Sequence, residues 1–178
     1  MTNWLKLMWC TAGGLGLLPK APGTWGSLKP LFVVLICGHF GIVQDWLILI
    51  LITIILSSSI ATILLAPWYT KYFGQKDPAQ IVCDETAGQS IALLGMAWLG
   101  PENHVSNSGW IGLALFAFAL FRLLDIWKPW IIDKSQHLKD GWGVLMDDII
   151  AGFFSGILVG IAAILTAWSH GTVFISGV

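Results

Sequence analysis

Charge is scarce in this chain. Only 11% of its 178 residues are Asp, Glu, Lys or Arg, against roughly 25% in soluble domains. Hydrophobic residues make up 56%, and 11 residues are tryptophan. That balance excludes an ordinary water-soluble globule and points to an integral membrane protein. A net charge of −1 excludes a broad polyanion-binding field, so nucleic acid is not an expected partner and any anion site must be local. Cys10, Cys37 and Cys83 are far apart and form no CxxC or Cys/His metal spacing, which argues against a disulfide framework. The N-terminus lacks a cleavage signature. No internal repeat or low-complexity tract divides the chain, and residues 1–178 read as a single domain.

The uncharged runs define the architecture. Trp46 to Thr70 and Ile149 to Val178 carry no Asp, Glu, Lys or Arg, and a bilayer core of about 30 Å needs about 20 apolar residues. Shorter apolar stretches add three more candidates. The expected fold is all-α, a polytopic bundle of about five transmembrane helices near 30–44, 46–67, 84–100, 109–128 and 147–168. A short interfacial helix over 3–16 would carry Trp4 and Trp9 at headgroup depth. With the N-terminus inside, the segments 1–29, 68–84 and 122–148 hold all nine Lys and Arg residues, and the other side receives only Asp45 and Glu102. This partition follows the positive-inside rule.

Polar residues then gather at one end of the bundle. Asp84 and Glu85 open an apolar helix, where the helix dipole favours carboxylates. Gln89 lies one turn on, and Gly88 lets a neighbouring helix or a ligand come close. In "FRLLDIWKPW" Arg122 and Asp125 share a helical face beside Lys128. In "GWGVLMDDIIAG" Asp147 and Asp148 begin the last span. Hard divalent cations take oxygen ligands, and Mg²⁺ is held by one or two carboxylates together with substrate phosphate. Acids from three spans with interleaved cations fit a metal and a phosphate; structural ion pairing is the plainer alternative. The Gly/Pro loop "PKAPGTWGS" falls on the same side. Lys20 offers a point charge, and Thr24 and Ser27 could cap the first span at a natural phosphate seat. Glycines at 152, 156 and 160 could pack helices within one chain or between two.

Four blocks in order, "GLGLLPKAPGTWGSL" (14–28), "DPAQIVCDETAGQSIAL" (77–93), "FRLLDIWKPW" (121–130) and "GWGVLMDDIIAG" (141–152), resemble the phosphatidylglycerophosphatase A family of bacterial lipid phosphatases. The departures are Ile131 where the family often has proline, and Cys83 where it has an aliphatic residue. The resemblance implies a Mg²⁺-dependent phosphomonoesterase on the cytoplasmic face of the bacterial inner membrane. It would convert phosphatidylglycerophosphate to phosphatidylglycerol and phosphate. Asp84, Glu85, Asp147 and Asp148 would hold one or two Mg²⁺ ions. Lys20, Arg122 and Lys128 would neutralise the phosphate, with Thr24 and Ser27 as hydrogen-bond donors. Asp125 would bind metal, orient Arg122 or act as general base. Attack by water and an aspartyl-phosphate route are both compatible with this set. Cys83 lacks the CxxxxxR loop of cysteine phosphatases, and His137 lies in the polar "DKSQHLKD" segment. The CDP-alcohol phosphotransferase pattern DGxxAR is absent. A cation channel or transporter using the acidic cluster is the alternative from another class.

Overall fold

The computed structural model describes residues 1–97, 107–129, 131–135, 138 and 141–169. Glu102, Trp130, His137 and Lys139 lie outside the described residues. Among those described, all regular structure is helical. The helices are α1 (Asn3–Cys10), α2 (Pro22–His39), α3 (Gln44–Leu64), α4 (Ala66–Phe73), α5 (Cys83–Ala97), α6 (Asn107–Trp127), α7 (Ile131–Ser135) and α8 (Gly141–Ser169). Three of them are long and apolar enough to cross a membrane, over Gln44–Leu64, Gly109–Trp127 and Gly141–Ala167. α2 carries Lys29 and an internal Pro30. α5 is shorter and nearly all buried, so its surroundings are protein rather than lipid. These two differ in kind from the spans the apolar runs suggest.

α5 is the axis of the bundle. It packs most extensively on α8, then on α3, α2 and α6. Glycine makes the α5–α8 contact possible. A Cβ on Gly152 would strike the Gly88 carbonyl, and one on Gly95 would strike the Gly156 carbonyl. Small residues let helix backbones meet where lipid supplies no hydrophobic drive to associate. The Gly152–Gly156–Gly160 stripe therefore seats a helix of its own chain. Beyond it, Leu31, Val34, Leu47, Leu51, Leu93, Met96 and Val159 fill the core.

Three boundaries differ from expectation. α2 begins at Pro22, so all of "PGTWGS" is helix rather than loop. Proline is pre-shaped for a first helical turn, and the glycines serve close packing: a Cβ on Gly26 would press into Val82. α8 begins at Gly141, because Gly141 lies against the Thr62 carbonyl and Ala66 Cβ and is not a turn. α1 stops at Cys10, where Ala12, Gly13 and Gly14 take positive φ values. The chain after α3 also breaks at Leu65 and forms α4, with proline in its first turn.

Pro30 leaves a mark on the packing. Having no N–H, it cannot serve the carbonyl of Gly26. The Thr86 hydroxyl approaches that carbonyl at 3.1 Å and its own Val82 carbonyl at 2.7 Å. A buried acceptor left without a donor costs about 1–3 kcal/mol. We expect Thr86→Val to lower stability by about that amount and Thr86→Ser to retain most of it. We expect Gly88→Ala to cost about 1–3 kcal/mol by prising α5 from α8. Denaturant unfolding in micelles checks all three.

Candidate active site

The first turn of α5 and the second turn of α8 meet at one end of the bundle. Asp84 and Glu85 come from α5 and Asp148 from α8, and one carboxylate oxygen of each lies within 4.8 Å of the others. Asp84 is 5% exposed and Asp148 3%. Asp84 Oδ1, Glu85 Oε2 and Asp148 Oδ1 are buried with no hydrogen-bond partner. Three carboxylates this close, out of water, repel one another and call for positive charge between them. Oxygen donors with free lone pairs at this spacing suit a hard divalent cation.

Cations stand around this group. Arg122 pairs with Asp125 one turn along α6. Arg122 also closes on Gly23 of α2: a Cβ there would collide with Glu85 Oε1 and come within 3.3 Å of Arg122 Nη1. Glycine at 23 thus lets the start of α2 rest on the Glu85 carboxylate, an arrangement the helix dipole favours. Asp125 is near enough to Asp148 to interact with its charge.

Lys128 ends α6 in the left-handed conformation, φ 46°, which directs its ammonium to Asp147 Oδ2 at 2.6 Å. Asp147 Oδ1 accepts from the Asp148 N–H at 3.1 Å. Both oxygens of Asp147 are therefore engaged, and it stands apart from the three-carboxylate group. Desolvation pulls the Lys128 pKa down, but the hydrogen bond and charge of Asp147, with the charges of Asp148 and Asp125, raise it overall above the ordinary lysine value. Its positive charge is fixed.

The remaining expected residues separate. Lys20 is exposed just ahead of α2, and its carbonyl accepts from the Trp25 indole at 3.0 Å. Thr24 is half-buried in the first turn of α2. Neither Thr24 nor Ser27 caps that helix: the cap position is Ala21, without a side-chain hydrogen bond. Ser27 is fully buried and donates back to the Gly23 carbonyl at 2.9 Å. Its expected role at the helix start fails because α2 begins five residues earlier.

Two residues gain significance from the structure. Asp77 stands within charge range of Lys128 and Asp125: loss of solvent raises its pKa, Lys128 lowers it, Asp125 raises it and Lys76 lowers it. Its place at the head of the "DPAQIVCDE" block was the only sequence signal. Gln89 is fully buried with both amide atoms unpartnered. Its spacing from Glu85 had marked the face but not the burial.

A family model described as Phosphatidylglycerophosphatase A matches residues 8–163. The chain belongs to the phosphatidylglycerophosphatase A family. Membership makes it an enzyme, a phosphatase, and leaves the channel reading without support. The chain is 34% identical over 160 residues to a Bacteroides thetaiotaomicron protein provisionally named phosphatidylinositol-3-phosphatase, covering 90% of this chain and 94% of that protein. It is also 34% identical to the phosphatidylglycerophosphatase A of Haemophilus influenzae, over 82% of this chain and 81% of the relative. The Escherichia coli protein of the same name is 34% identical as well, over 82% and 76%. No solved structure matches the chain significantly. The stretch matched by the phosphatidylglycerophosphatase A model contains every site residue named above.

The Lys128–Asp147 pair lends itself to a double-mutant cycle. We expect Lys128→Met and Asp147→Asn each to lower stability by about 1–3 kcal/mol, with the double variant losing less than the sum by about 1 kcal/mol. Unfolding in micelles measures the coupling.

Proposed function

We propose that this protein hydrolyses the terminal phosphomonoester of phosphatidylglycerophosphate, giving phosphatidylglycerol and inorganic phosphate. The observation that carries the reading is the three-carboxylate group with its unpartnered oxygens, ringed by Arg122 and Lys128, in a member of this family. Mg²⁺ is the proposed cofactor, held by Asp84, Glu85 and Asp148. When bound, it would supply charge stabilisation to the phosphoryl oxygens and acidify a water.

The chain's own residues perform the rest. Asp125 holds Arg122 toward Glu85, where a guanidinium can take two phosphoryl oxygens at once. Asp147 holds Lys128 charged at the rim, so Asp147 acts through Lys128 and not as a fourth ligand. Lys20, with no ion pair among the described residues, meets the incoming phosphate, and Thr24 adds a hydroxyl donor. Ser27 serves packing. Fixed positive groups aimed at the phosphoryl oxygens stabilise charge that grows in the transition state.

The membrane part of the reading has five crossing segments, with α2 and α5 joining the three long spans, and the site on the cytoplasmic face of the bacterial inner membrane. Its support is the gathering of all nine Lys and Arg at one end of the expected spans, with Lys29 in the first half of α2 and Arg122 near the end of α6. The substrate then keeps its acyl chains in the bilayer while its phosphate reaches the carboxylates.

The name of the Bacteroides relative makes phosphatidylinositol 3-phosphate the competing substrate, another lipid phosphomonoester. The test is phosphate release from each lipid in mixed micelles. We expect release from phosphatidylglycerophosphate to be at least tenfold faster, to stop with EDTA and to return with Mg²⁺. We expect Asp84→Asn and Asp148→Asn each to lower turnover at least ~100-fold, in the range seen when one transition-state contact is removed, and Lys20→Ala to lower it less. Full turnover in EDTA, or in both carboxylate variants, would overturn the reading. Faster release from the inositol lipid would transfer it to that substrate.

A further inference from the structure

α1 and α4 pack beside the start of α5. Cys10, Ala66, Tyr69, Ile81 and Cys83 share one buried cluster, the Val82 N–H donates to the Cys10 carbonyl at 3.0 Å, and Tyr69 ties α4 to the Thr62 carbonyl at 3.1 Å. On their outer side the two helices form an open cleft of about 370 Å³ lined by Asn3, Trp68, Lys71 and Tyr72. The Lys6 ammonium stands 5.7 Å from the Trp68 ring centroid, within cation–π range. The Trp68 indole donates to Asn3 Oδ1 at 3.1 Å, and Trp68 and Tyr72 stack at 5.0 Å.

These contacts leave an unbalanced set of groups. The Asn3 acceptor and the Trp68 donor are committed to each other. What remains is the Asn3 amide N–H₂, the Tyr72 hydroxyl and the Lys71 ammonium in the cleft, with the Lys6 ammonium over the Trp68 ring beside it, nearly all donors. No carboxylate among the described residues pairs with either lysine. Such a set selects an anion with several acceptor oxygens. Its setting selects a lipid: Trp4 is 65% exposed, Leu5 48% and Tyr72 54%, the kind of flank that settles at headgroup depth.

We propose that this cleft is a second lipid site, holding the phosphodiester headgroup of an anionic glycerophospholipid beside the carboxylate group but apart from it. Lys6 and Lys71 meet the phosphate oxygens, Asn3 donates to one of them, and the stacked Trp68 and Tyr72 rings support the glycerol and upper acyl chain. The site keeps α1 and α4 on an anionic leaflet. The proposal goes beyond the reaction and stands independently of it.

The test is native mass spectrometry of the delipidated full chain in detergent, titrated with phosphatidylserine, which offers no phosphomonoester, and with phosphatidylcholine. We expect phosphatidylserine to bind at least tenfold more tightly than phosphatidylcholine. We expect Lys6→Gln with Lys71→Gln to abolish that preference, and Lys6→Arg with Lys71→Arg to keep it. Lys29→Gln, an exposed lysine on α2, should leave it unchanged. The glutamine variant should keep its rate of phosphate release at saturating micellar substrate, which separates this site from the catalytic one. An undiminished preference in the glutamine variant would overturn the proposal. Displacement of the lipid by millimolar inorganic phosphate would also overturn it, by assigning the cleft to the free ion.

Discussion

Everything at the carboxylate end depends on how closely α5 and α8 approach. Asp84 and Glu85 belong to one helix and Asp148 to the other, and like charges push those helices apart. Gly88 against Gly152, and Gly95 against Gly156, bring the two backbones into contact. A Cβ at Gly88, Gly95 or Gly152 would come within 2.1–2.5 Å of a neighbouring backbone oxygen, so packing and charge oppose each other over a short length of helix. Packing wins along the apolar stretch, and the carboxylates are left facing one another at the end. Positive charge placed among them would turn that repulsion into a stabilising interaction. The group proposed to hold a cation is thus also a destabilised helix end.

The other helices hold the surroundings of that pair. α2 sets its first turn on Glu85 through Gly23, and the Gly26 carbonyl, left unserved by Pro30, accepts from the Thr86 hydroxyl, which fastens α2 to α5. α6 brings Arg122 and Asp125 as a preformed ion pair, and its left-handed end points Lys128 at Asp147. The two cations are thus positioned by acids that do not belong to the three-carboxylate group. Groups fixed in this way need little rearrangement when a charged ester arrives, which is the condition for electrostatic catalysis.

Much of this was legible in the sequence where composition alone decides. α3 and α6 fall within a few residues of the expected 46–67 and 109–128, because long apolar runs have few alternatives in a membrane. The meeting of Asp84 and Glu85 with Asp148 was legible because each opens an apolar run at what the expected spans make the same end. The starts of α2 and α8 were not, because glycine and proline read as turn residues from local preference alone. Here Gly23, Gly26 and Gly141 are small to admit a neighbour, and only the tertiary contact shows it. The division of labour between Asp147 and Asp148 was hidden for a related reason. Adjacent helical residues point about 100° apart, so one reaches the shared centre and the other reaches Lys128. Which does which depends on where α8 begins. The burial of Ser27 follows from another boundary, the start of α2 at Pro22.

The central claim is that Asp84, Glu85 and Asp148 form one divalent-cation site. Mn²⁺ binding to the purified protein, read by electron paramagnetic resonance and competed with Mg²⁺, tests it most directly. The account predicts saturable Mn²⁺ binding that Mg²⁺ displaces, weakened at least tenfold by Asp148→Asn and unaffected by Lys29→Gln. Absence of Mn²⁺ binding in the unmodified protein, or undiminished binding in the Asp84→Asn, Glu85→Gln, Asp148→Asn triple variant, would contradict it.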